Sequence, residues 1–257
     1  MGVRASISAV LIIQNEGHVL QECLQSIAWV DEIVIVDSGS SDNSLEIAEK
    51  FTDKIFHQHD WKGFGIQRQR AQGYATGDWV LMIDADERVT TELRASIESV
   101  LIQNNHNKVY RINILPWVFG SFIRHGGWYP APKVRLYPRE AASYGEERVH
   151  EKLNYSKNVS TVQLNGDLLH YTYRDLRHYL TKSANYAEEW SEQRYQSGKK
   201  ASLLQAVIHG SWYFFRMYLI KAGFLDGRQG FLLALLSAHS VFVKYAALWV
   251  KWNDHKK

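Results

Sequence analysis

Short apolar segments alternate with amphipathic segments over the first hundred residues, and this alternation limits the fold more than any other feature of the sequence. The apolar segments are rich in β-branched residues and bounded by polar breaks, as buried strands are, and they cover 7–13, 33–37, 54–56 and 79–83. Helical segments follow these strands at 18–27, 44–51, 65–75 and 90–103. This spacing predicts an α/β fold: a mostly parallel, Rossmann-like sheet with helices on both faces.

The pattern changes after this first part of the chain. Further strands are expected at 109–114, 133–137 and 161–164, separated by long loops that contain glycine and aromatic residues, and the sequence is helical from residue 175 onward. With 46% apolar and 22% charged residues, the composition is that of a globular protein and excludes disordered, collagen-like and coiled-coil classes. We expect an α/β domain at 1–173 and a helical region at 174–257.

The two predicted parts differ in charge. Residues 1–173 contain 17 basic and 21 acidic residues and carry −4, whereas residues 174–257 contain 13 and 6 and carry +7. The second part also holds 15 of the 33 aromatic residues. A basic, aromatic-rich region suggests an anionic partner, although a helical layer with a solvated basic face has the same composition. No zinc or RNP motif accompanies the charge, so a membrane is expected as the partner and nucleic acid is not.

Near the C-terminus one predicted helical face is broadly apolar. Its residues follow a three-four spacing and are Leu235, Ala238, Phe242, Tyr245, Trp249 and Trp252, while Ser237, Ser240, Lys244, Lys251 and His255 fall on the opposite face. This pattern fits a helix lying in the plane of a membrane surface; packing on the rest of the chain or on a second subunit is the alternative.

Neither a membrane span nor a secretory signal is expected. The longest uncharged stretch, 229–243, is shorter than the roughly 20 residues that a span requires. The first apolar run, 9–13, is too short for the core of a signal peptide, and a single cysteine, Cys23, cannot form an internal disulfide. We therefore expect a cytoplasmic protein that associates peripherally with a membrane.

Two of the apolar strands end in carboxylates. Asp37 ends the second strand, with Ser38 and Asp42 in the loop that follows, and Asp84 and Asp86 follow the fourth strand. Ligands of open parallel sheets bind at this edge, and carboxylates become compatible with a diphosphate when Mg²⁺ or Mn²⁺ lies between them. The absence of the glycine-rich dinucleotide and P-loop motifs argues against those two kinds of site. Helix capping and loop solvation are the alternative roles.

In combination, these two acidic segments resemble the nucleotide-sugar domain of family 2 glycosyltransferases, which have the GT-A fold. The similar segments are 36–42, VDSGSSD, and 77–87, GDWVLMIDADE, and the resemblance covers roughly residues 5–175 in motif order. It implies a UDP-sugar donor, with Asp37 at the nucleoside and with Asp84 and Asp86 at the ribose and at a divalent cation that holds the diphosphate.

An inverting transfer also needs a general base that takes the proton of the acceptor hydroxyl. The segment 149–151 is similar to a Val-His-Glu segment in a subset of these transferases, where many other members have Glu-Asp. We expect Glu151 to be the base, with His150 as the second choice; alternatively the two side chains orient other groups.

Two further residues are candidates for the charged part of the site. His170 follows an apolar segment, and the resemblance implies a late histidine as a metal ligand, although a core histidine would fit the same pattern. Arg135 is expected to offset the charge of the donor diphosphate or of an anionic acceptor, with a surface ion pair as the alternative. Trp117, Phe119 and Phe122 are candidates for stacking on sugar rings or for core packing.

The segments 128–130, 149–151 and 218–227 resemble those of bacterial lipopolysaccharide core transferases, including those that move glucose from UDP-glucose onto an inner-core heptose. This resemblance implies a lipopolysaccharide core acceptor at the inner membrane. A polyisoprenyl-phosphate-linked or protein acceptor is one alternative, and a non-catalytic nucleotide-binding protein is another.

Overall fold

The computed structural model describes residues 4–145 and 153–254. The strands are β1 (Ile7–Ile13), β2 (Glu32–Asp37), β3 (Ile55–His57), β4 (Trp79–Met82), β5 (Glu87–Val89), β6 (Lys108–Val118), β7 (Ser121–Phe122), β8 (Ala131–Pro138), β9 (Ala142–Tyr144), β10 (Leu153–Tyr155) and β11 (Ser160–Tyr173). The helices are α1 (Gly17–Ile27), α2 (Ser44–Ala48), α3 (Phe64–Gly73), α4 (Thr91–Gln103), α5 (Leu176–Gln196), α6 (Leu203–Phe215) and α7 (Gly227–Asp254). The strands and helices expected in the first hundred residues form within three residues of their predicted bounds.

The central sheet is mixed. Its strand order is β3-β2-β1-β4-β8-β6-β11-β5, with β7 paired to β6, and its first four strands are parallel to one another. The pairs β4–β8, β6–β8 and β5–β11 are antiparallel. The expectation of a mostly parallel sheet therefore holds only for β1 to β4. A parallel pair requires a crossover, usually a helix, and between β6 and β11 the described chain contains strands and loops only.

Alternate residues of the strands build two separate cores, one on each face of the sheet. Ile7, Ala9 and Leu11 of β1 pack with the apolar residues of α1, α2 and α4. Val10 points to the other face, where it joins a cluster that includes Ala71 of α3. The prediction of helices on both faces is confirmed, and the period-two alternation of the strands is its physical basis.

The chain divides into two compact units. One takes in the chain up to Ile114 and from Ala131 to His170, and the other takes in Leu115–Pro130 and the chain from Tyr171 onward. The second boundary lies close to the predicted one at residue 173. Residues 115–130, however, were expected in the first domain and cluster with the helices, because Val118 and Ile123 share a small core with residues of α5 and α7.

In the helical unit α5 and α6 pack on α7, and both begin at a capped residue. The side chain of Asp175 accepts a hydrogen bond from the backbone N–H of His178, and Ser202 and Gln205 form a capping box at the start of α6. After α6 the chain continues as a π-helical segment, Arg216–Ile220, and a 3₁₀ turn, Gly223–Asp226.

The face of α7 predicted to meet a membrane mostly packs inside the helical unit. The ring of Tyr245 lies 5.0 Å from that of Trp190 on α5 and 4.4 Å from that of His209 on α6. Trp252 donates a hydrogen bond from Nε1 to the carbonyl oxygen of Lys199, and of the six predicted stripe residues only Leu235 and Phe242 are exposed. Lys251 on the opposite face pairs with two glutamates of α5.

Among the described helices, one stretch is long and apolar enough to span a membrane by length and composition. It is Gly223–Asn253, with a mean hydropathy of 1.7 and only 22% of its most apolar window buried. The sequence-based estimate of this apolar stretch was too short, because it counted only the uncharged residues 229–243. Arg228 and Lys244, which bound them, are single charges within a longer apolar stretch. Core helices of soluble proteins meet the same criterion, so length and composition alone do not establish a span.

Glu32 joins four segments at the edge of the sheet where β1 and β2 begin. Its carboxylate accepts hydrogen bonds from the Lys54 ammonium, the Ser8 hydroxyl, and the backbone N–H and hydroxyl of Thr76. Burial alone would raise its pKa, but these hydrogen bonds outweigh burial and lower the pKa to about 2, from 4.5.

We predict that Glu32→Gln flattens the acid limb of the stability profile. A carboxylate with a depressed pKa stabilises the folded state above its unfolded pKa of 4.5, and this contribution is lost as pH falls toward 2. It amounts to about 3 kcal/mol for a shift of this size. In urea unfolding, the difference in free energy of unfolding between wild type and Glu32→Gln should therefore shrink as pH falls from 5 to 2. The control Glu49→Gln should differ little from wild type over the same range. A pH-independent difference between wild type and Glu32→Gln would contradict this.

Candidate active site

The side chain of Asp37 is buried at the carboxyl end of β2 and holds the loop that follows. It is 1% exposed, and its oxygens accept hydrogen bonds from the backbone N–H groups of Gly39 and Ser40 at 3.0–3.2 Å. Burial raises its pKa, but the hydrogen bonds from Ser40 and Gly39 have the larger combined effect and keep the pKa below the usual range. The hydroxyl of neighbouring Ser38 accepts a hydrogen bond from buried Gln67 at 2.9 Å. This loop is therefore held from both sides at the ligand-binding edge of the sheet.

Asp42 lies in the same loop and joins the starts of two helices. One oxygen accepts from the backbone N–H of Gly17, the first residue of α1, and the other accepts from the N–H and hydroxyl of Ser44, the first residue of α2. A carboxylate at the N-termini of helices is favourable because those N–H groups have no partner within the helix. The capping role that the sequence analysis considered is present here.

Asp84 sits directly after β4 between two arginines. Its Oδ1 accepts from Arg68 Nη2 at 2.8 Å, and its Oδ2 accepts from Arg135 Nη2 at 2.6 Å. Burial raises the pKa of Asp84, but the nearby charges of Arg135 and Arg68 lower it well below its usual range. Asp84 is consequently ionised and fixed in orientation.

Arg135 is buried and bridges two carboxylates. Its side chain is 3% exposed, and the same Nη2 that contacts Asp84 lies 2.7 Å from Oε1 of Glu87, which is 2% exposed. Glu87 in turn accepts the backbone N–H of Asp84 at 3.0 Å, which closes the turn between β4 and β5. The surface ion pair considered for Arg135 is thus wrong in one respect: the pair is internal, because β8 runs beside β4 and carries Arg135 under the turn.

Arg68 and Glu87 are parts of this cluster that the sequence analysis did not assign to the site. Arg68 lies on the face of α3 that also carries Ala71 and packs against the sheet, and its guanidinium stands 5.4 Å from the ring centroid of Tyr144. The sequence does contain one indication of this position: Arg68 precedes the buried Ala71 by three residues, so helical spacing puts both side chains on the packed face of α3. The strand that begins at Glu87 is visible only from its pairing with β11, which the sequence does not reveal.

Asp86 and His170 form a second pair beside the arginine cluster. His170 Nε2 lies 3.1 Å from Asp86 Oδ2, and the two side chains are 28% and 27% exposed. They meet because β5 pairs antiparallel with β11, which puts His170 opposite Glu87. Burial lowers the pKa of His170, whereas the hydrogen bond and charge of Asp86 and the charges of Glu87 and Asp84 raise it above its usual value. The strand that carries His170, β11, is longer than predicted: it runs to Tyr173, whereas a strand was predicted only at 161–164.

The oxygen and nitrogen atoms of this pair suit a divalent cation that completes its coordination with other ligands. Within the described residues, no group of three or more His, Cys, Asp or Glu side chains could hold a metal alone. The three predicted ligands Asp84, Asp86 and His170 are not assembled as one group, because both oxygens of Asp84 accept hydrogen bonds from guanidinium groups. Asp86 and His170 fit Mg²⁺ or Mn²⁺ if phosphate oxygens and water fill the remaining positions.

His150 and Glu151 fall outside the described residues. The aromatic side chains considered for sugar stacking belong to the helical unit and contact one another or its core: the rings of Trp117 and Phe122 are 4.7 Å apart, and Phe119 lies 6.0 Å from Tyr179. These contacts correspond to the core-packing alternative.

The structure therefore combines a mixed α/β sheet with an acidic, arginine-held turn at the carboxyl edge of its parallel strands. Residues 8–112 match the family described as Glycosyl transferase family 2. The prediction of an α/β domain followed by a C-terminal helical region is confirmed, with the sheet mixed as described.

Two curated proteins are similar over nearly the whole chain. An uncharacterized glycosyltransferase of Rickettsia felis is 28% identical over 260 residues, which cover 94% of this chain and 89% of that protein. The lipopolysaccharide core biosynthesis glycosyltransferase LpsC of Rhizobium meliloti is 27% identical over 252 residues, 93% of each chain. Among solved structures, residues 1–349 of S. aureus TarS in complex with UDP-GlcNAc align with 14% identity and a TM-score of 0.48, over 97% of this chain and 92% of that chain.

We predict that Arg135→Met destabilises the protein by about 3–5 kcal/mol, because the buried carboxylate of Glu87 loses its counter-charge and Asp84 loses one of its two guanidinium partners. The double variant Arg135→Met/Glu87→Gln should recover part of this loss, since it also removes one of the two carboxylate charges. Arg111→Met, on an exposed position of β6, is the matched control and should change stability by less than about 0.5 kcal/mol. Urea unfolding followed by tryptophan fluorescence measures all three. Equal values for Arg135→Met and Arg111→Met would show that the cluster contributes nothing to folding.

Proposed function

We propose that the protein is an inverting, metal-dependent glycosyltransferase that moves glucose from UDP-glucose onto a heptose of the lipopolysaccharide inner core. The observation that carries the proposal is the juxtaposition of Asp86 and His170 beside an arginine-held Asp84, at the carboxyl edge of β4 in a family 2 domain. The similarity to LpsC over nearly the full length of both chains supports the lipopolysaccharide core as the acceptor class.

Asp86 and His170 are assigned to the divalent cation. Mg²⁺ is commonly bound by one or two carboxylates together with substrate phosphates, so the donor diphosphate would complete the coordination. When bound, the metal would neutralise charge on the diphosphate leaving group. Asp86 and His170 orient each other for this task, because each holds the other by a hydrogen bond at 3.1 Å.

Asp84 is assigned to the donor ribose and not to the metal. Each of its oxygens accepts one guanidinium hydrogen bond, and a carboxylate oxygen has a second lone pair that can accept from a ribose hydroxyl. The side chain is 30% exposed, which leaves room for that contact. Arg68 and Arg135 keep this carboxylate ionised and correctly oriented. We assign Arg135 this positioning role ahead of a direct contact with the diphosphate, because it is only 3% exposed.

The loop after β2 is assigned to the nucleoside. Asp37 has little exposed surface, so we propose that it acts chiefly by fixing the backbone of Gly39 and Ser40, with Ser38 beside it. Asp42 fixes the other end of the loop through its bonds to α1 and α2. This arrangement would present a rigid surface to the uracil and ribose.

The general base is assigned from the sequence alone, with Glu151 as the first choice and His150 as the second. The acceptor is lipid-linked in this proposal, so we place the protein in the cytoplasm, peripherally on the inner membrane. A polyisoprenyl-phosphate-linked or protein acceptor remains the alternative within the same family, and a nucleotide-binding protein without activity is the alternative outside it.

The function is tested by turnover with a panel of UDP-sugars and two acceptors, truncated lipopolysaccharide ending in inner-core heptose and a polyisoprenyl phosphate, with buffer alone as the control. We expect glucosyl transfer from UDP-glucose to the heptose acceptor, and an NMR spectrum of the product with the β-anomer, since inversion of the α-linked donor gives β. Transfer to the prenyl phosphate and not to the heptose would show that the proposed acceptor is wrong. Binding of UDP-glucose without any turnover would favour the non-catalytic alternative.

The same assay tests the metal. EDTA should abolish transfer and Mn²⁺ or Mg²⁺ should restore it, and Asp86→Asn and His170→Ala should each lose most activity because each removes one of the two protein ligands assigned here. Asp53→Asn, an exposed loop position, is the control and should remain active. Binding of Mn²⁺ in the presence of UDP, measured by electron paramagnetic resonance, should weaken in the same two variants. Full activity in chelator would exclude the metal assignment.

A further inference from the structure

One face of α6 and of the π-helical segment after it is both apolar and exposed. Leu204, Ile208, Trp212, Phe215 and Leu219 follow one another at intervals of three or four residues, so they lie along one side of the helix. Their exposed fractions range from 45% for Phe215 to 69% for Leu204. We refer to these five residues as the α6 apolar face.

The apolar surface continues into the 3₁₀ turn. Phe224 and Leu225 are exposed by 47% and 61%, and the ring of Phe224 lies 6.2 Å from that of Tyr218 on the π-helical segment. The ring of Tyr218 in turn lies 5.5 Å from that of Phe231 near the start of α7. Exposed apolar residues this numerous and this close together are unusual on a soluble monomer and mark an interaction site.

The opposite side of α6 is already used for packing. Ala206 and Gly210 are buried, and Gly210 approaches α7 so closely that a Cβ there would meet the carbonyl oxygen of Ala238 at 3.1 Å. This side faces α7, so the α6 apolar face points away from the helix on which α6 packs. The exposure of the α6 apolar face therefore follows from the packing of the opposite side of α6 on α7.

Positive charge surrounds this surface almost without acidic residues. Arg216, Lys221 and Arg228 are exposed on the same segments. From residue 197 to 250 the chain contains six Lys and Arg and one acidic residue, Asp226, which gives a net charge of +5; Lys251, just beyond this range, pairs with two glutamates of α5 and is not counted. Asp226 is 6% exposed and directs its carboxylate to the backbone N–H groups of Arg124 and His125.

This charge distribution distinguishes between possible occupants. A second copy of the chain would bring the same basic residues against these, and like charges facing each other oppose association. An anionic phospholipid surface complements them, since acyl chains accept the apolar side chains while the headgroups attract arginine and lysine.

We propose that the α6 apolar face and the adjoining 3₁₀ turn dock the protein on the surface of an anionic phospholipid bilayer. This places the docking surface on α6 and the following turn, in contrast to the α7 stripe that the sequence indicates. The proposal concerns membrane docking alone and does not depend on which sugar is transferred or on which acceptor receives it.

The test is flotation of the full-length protein, without donor or acceptor, with vesicles of phosphatidylethanolamine and phosphatidylglycerol, and with neutral phosphatidylcholine vesicles for comparison. The wild type should bind the anionic vesicles at low salt and be released at high salt. Ile208→Glu/Phe215→Glu should lower the partition coefficient by about tenfold or more, because it places charge at the centre of the apolar face. Ile102→Glu, which changes a 73% exposed residue of α4 in the other unit, is the matched control and should bind as the wild type does.

A charge-reversal pair tests the basic residues without touching the apolar face. Lys221→Glu/Arg228→Glu should weaken binding to anionic vesicles by about tenfold, whereas Lys50→Glu, an exposed position on the other unit, should not. Circular dichroism and urea unfolding establish that each variant is folded. Turnover of a water-soluble acceptor should be unchanged in Ile208→Glu/Phe215→Glu, which separates loss of docking from loss of activity.

Three results would overturn the proposal. The first is wild-type protein that does not float with anionic vesicles at low salt. The second is a wild-type dimer in sedimentation velocity that becomes a monomer in Ile208→Glu/Phe215→Glu, which would assign the face to a second copy. The third is wild-type protein that remains with the vesicles after alkaline carbonate, which would favour insertion of Gly223–Asn253 over docking at the surface.

Discussion

The ion pair of Arg135 with Asp84 and Glu87 is the interaction on which the candidate site depends. One buried guanidinium on β8 contacts the carboxylate that follows β4 and the carboxylate that begins β5. Because Glu87 also accepts the backbone N–H of Asp84, the turn between the two strands has little freedom. β5 then pairs with β11, so the position of His170 follows from the same turn. A buried ion pair contributes little net stability over an apolar replacement, so its value here is the fixed geometry of the turn.

The charges at this edge of the sheet divide into two groups with different roles. Arg68 and Arg135 balance Asp84 and Glu87, and burial together with the neighbouring Asp84 raises the pKa of Glu87 while Arg135 opposes that change. Asp86 and His170 lie outside this balanced set and are more exposed than Arg135 and Glu87. A ligand that reaches this edge therefore meets the carboxylate oxygen of Asp86 and the imidazole nitrogen of His170. The neighbouring arginines and carboxylates are already paired with one another and support these two side chains.

The parts predicted from the sequence are those that local patterns determine. The apolar strands and the placement of Asp37, Asp84 and Asp86 at strand ends follow from hydrophobic runs of a few residues, and these patterns survive in the fold. Asp86 and His170 are 84 positions apart, and their contact depends on the register of β5 with β11, which no local pattern encodes. Arg68 was missed for a related reason: helical periodicity places it on the packed face but does not reveal the carboxylate opposite.

The helical unit shows the same limit more clearly, because helical periodicity reveals an apolar face without identifying what covers it. The stripe on α7 has the pattern of a membrane-surface helix, yet Tyr245 and Trp252 are covered by α5, α6 and the loop between those helices. In α6 there is no charged residue from 201 to 215, so this helix is apolar on nearly every side. Helices of that kind are normally buried or in contact with lipid. Since α7 covers only one side of α6, the other side stays exposed, and the basic residues on the adjoining segments are the reason why we propose an anionic phospholipid surface as its partner.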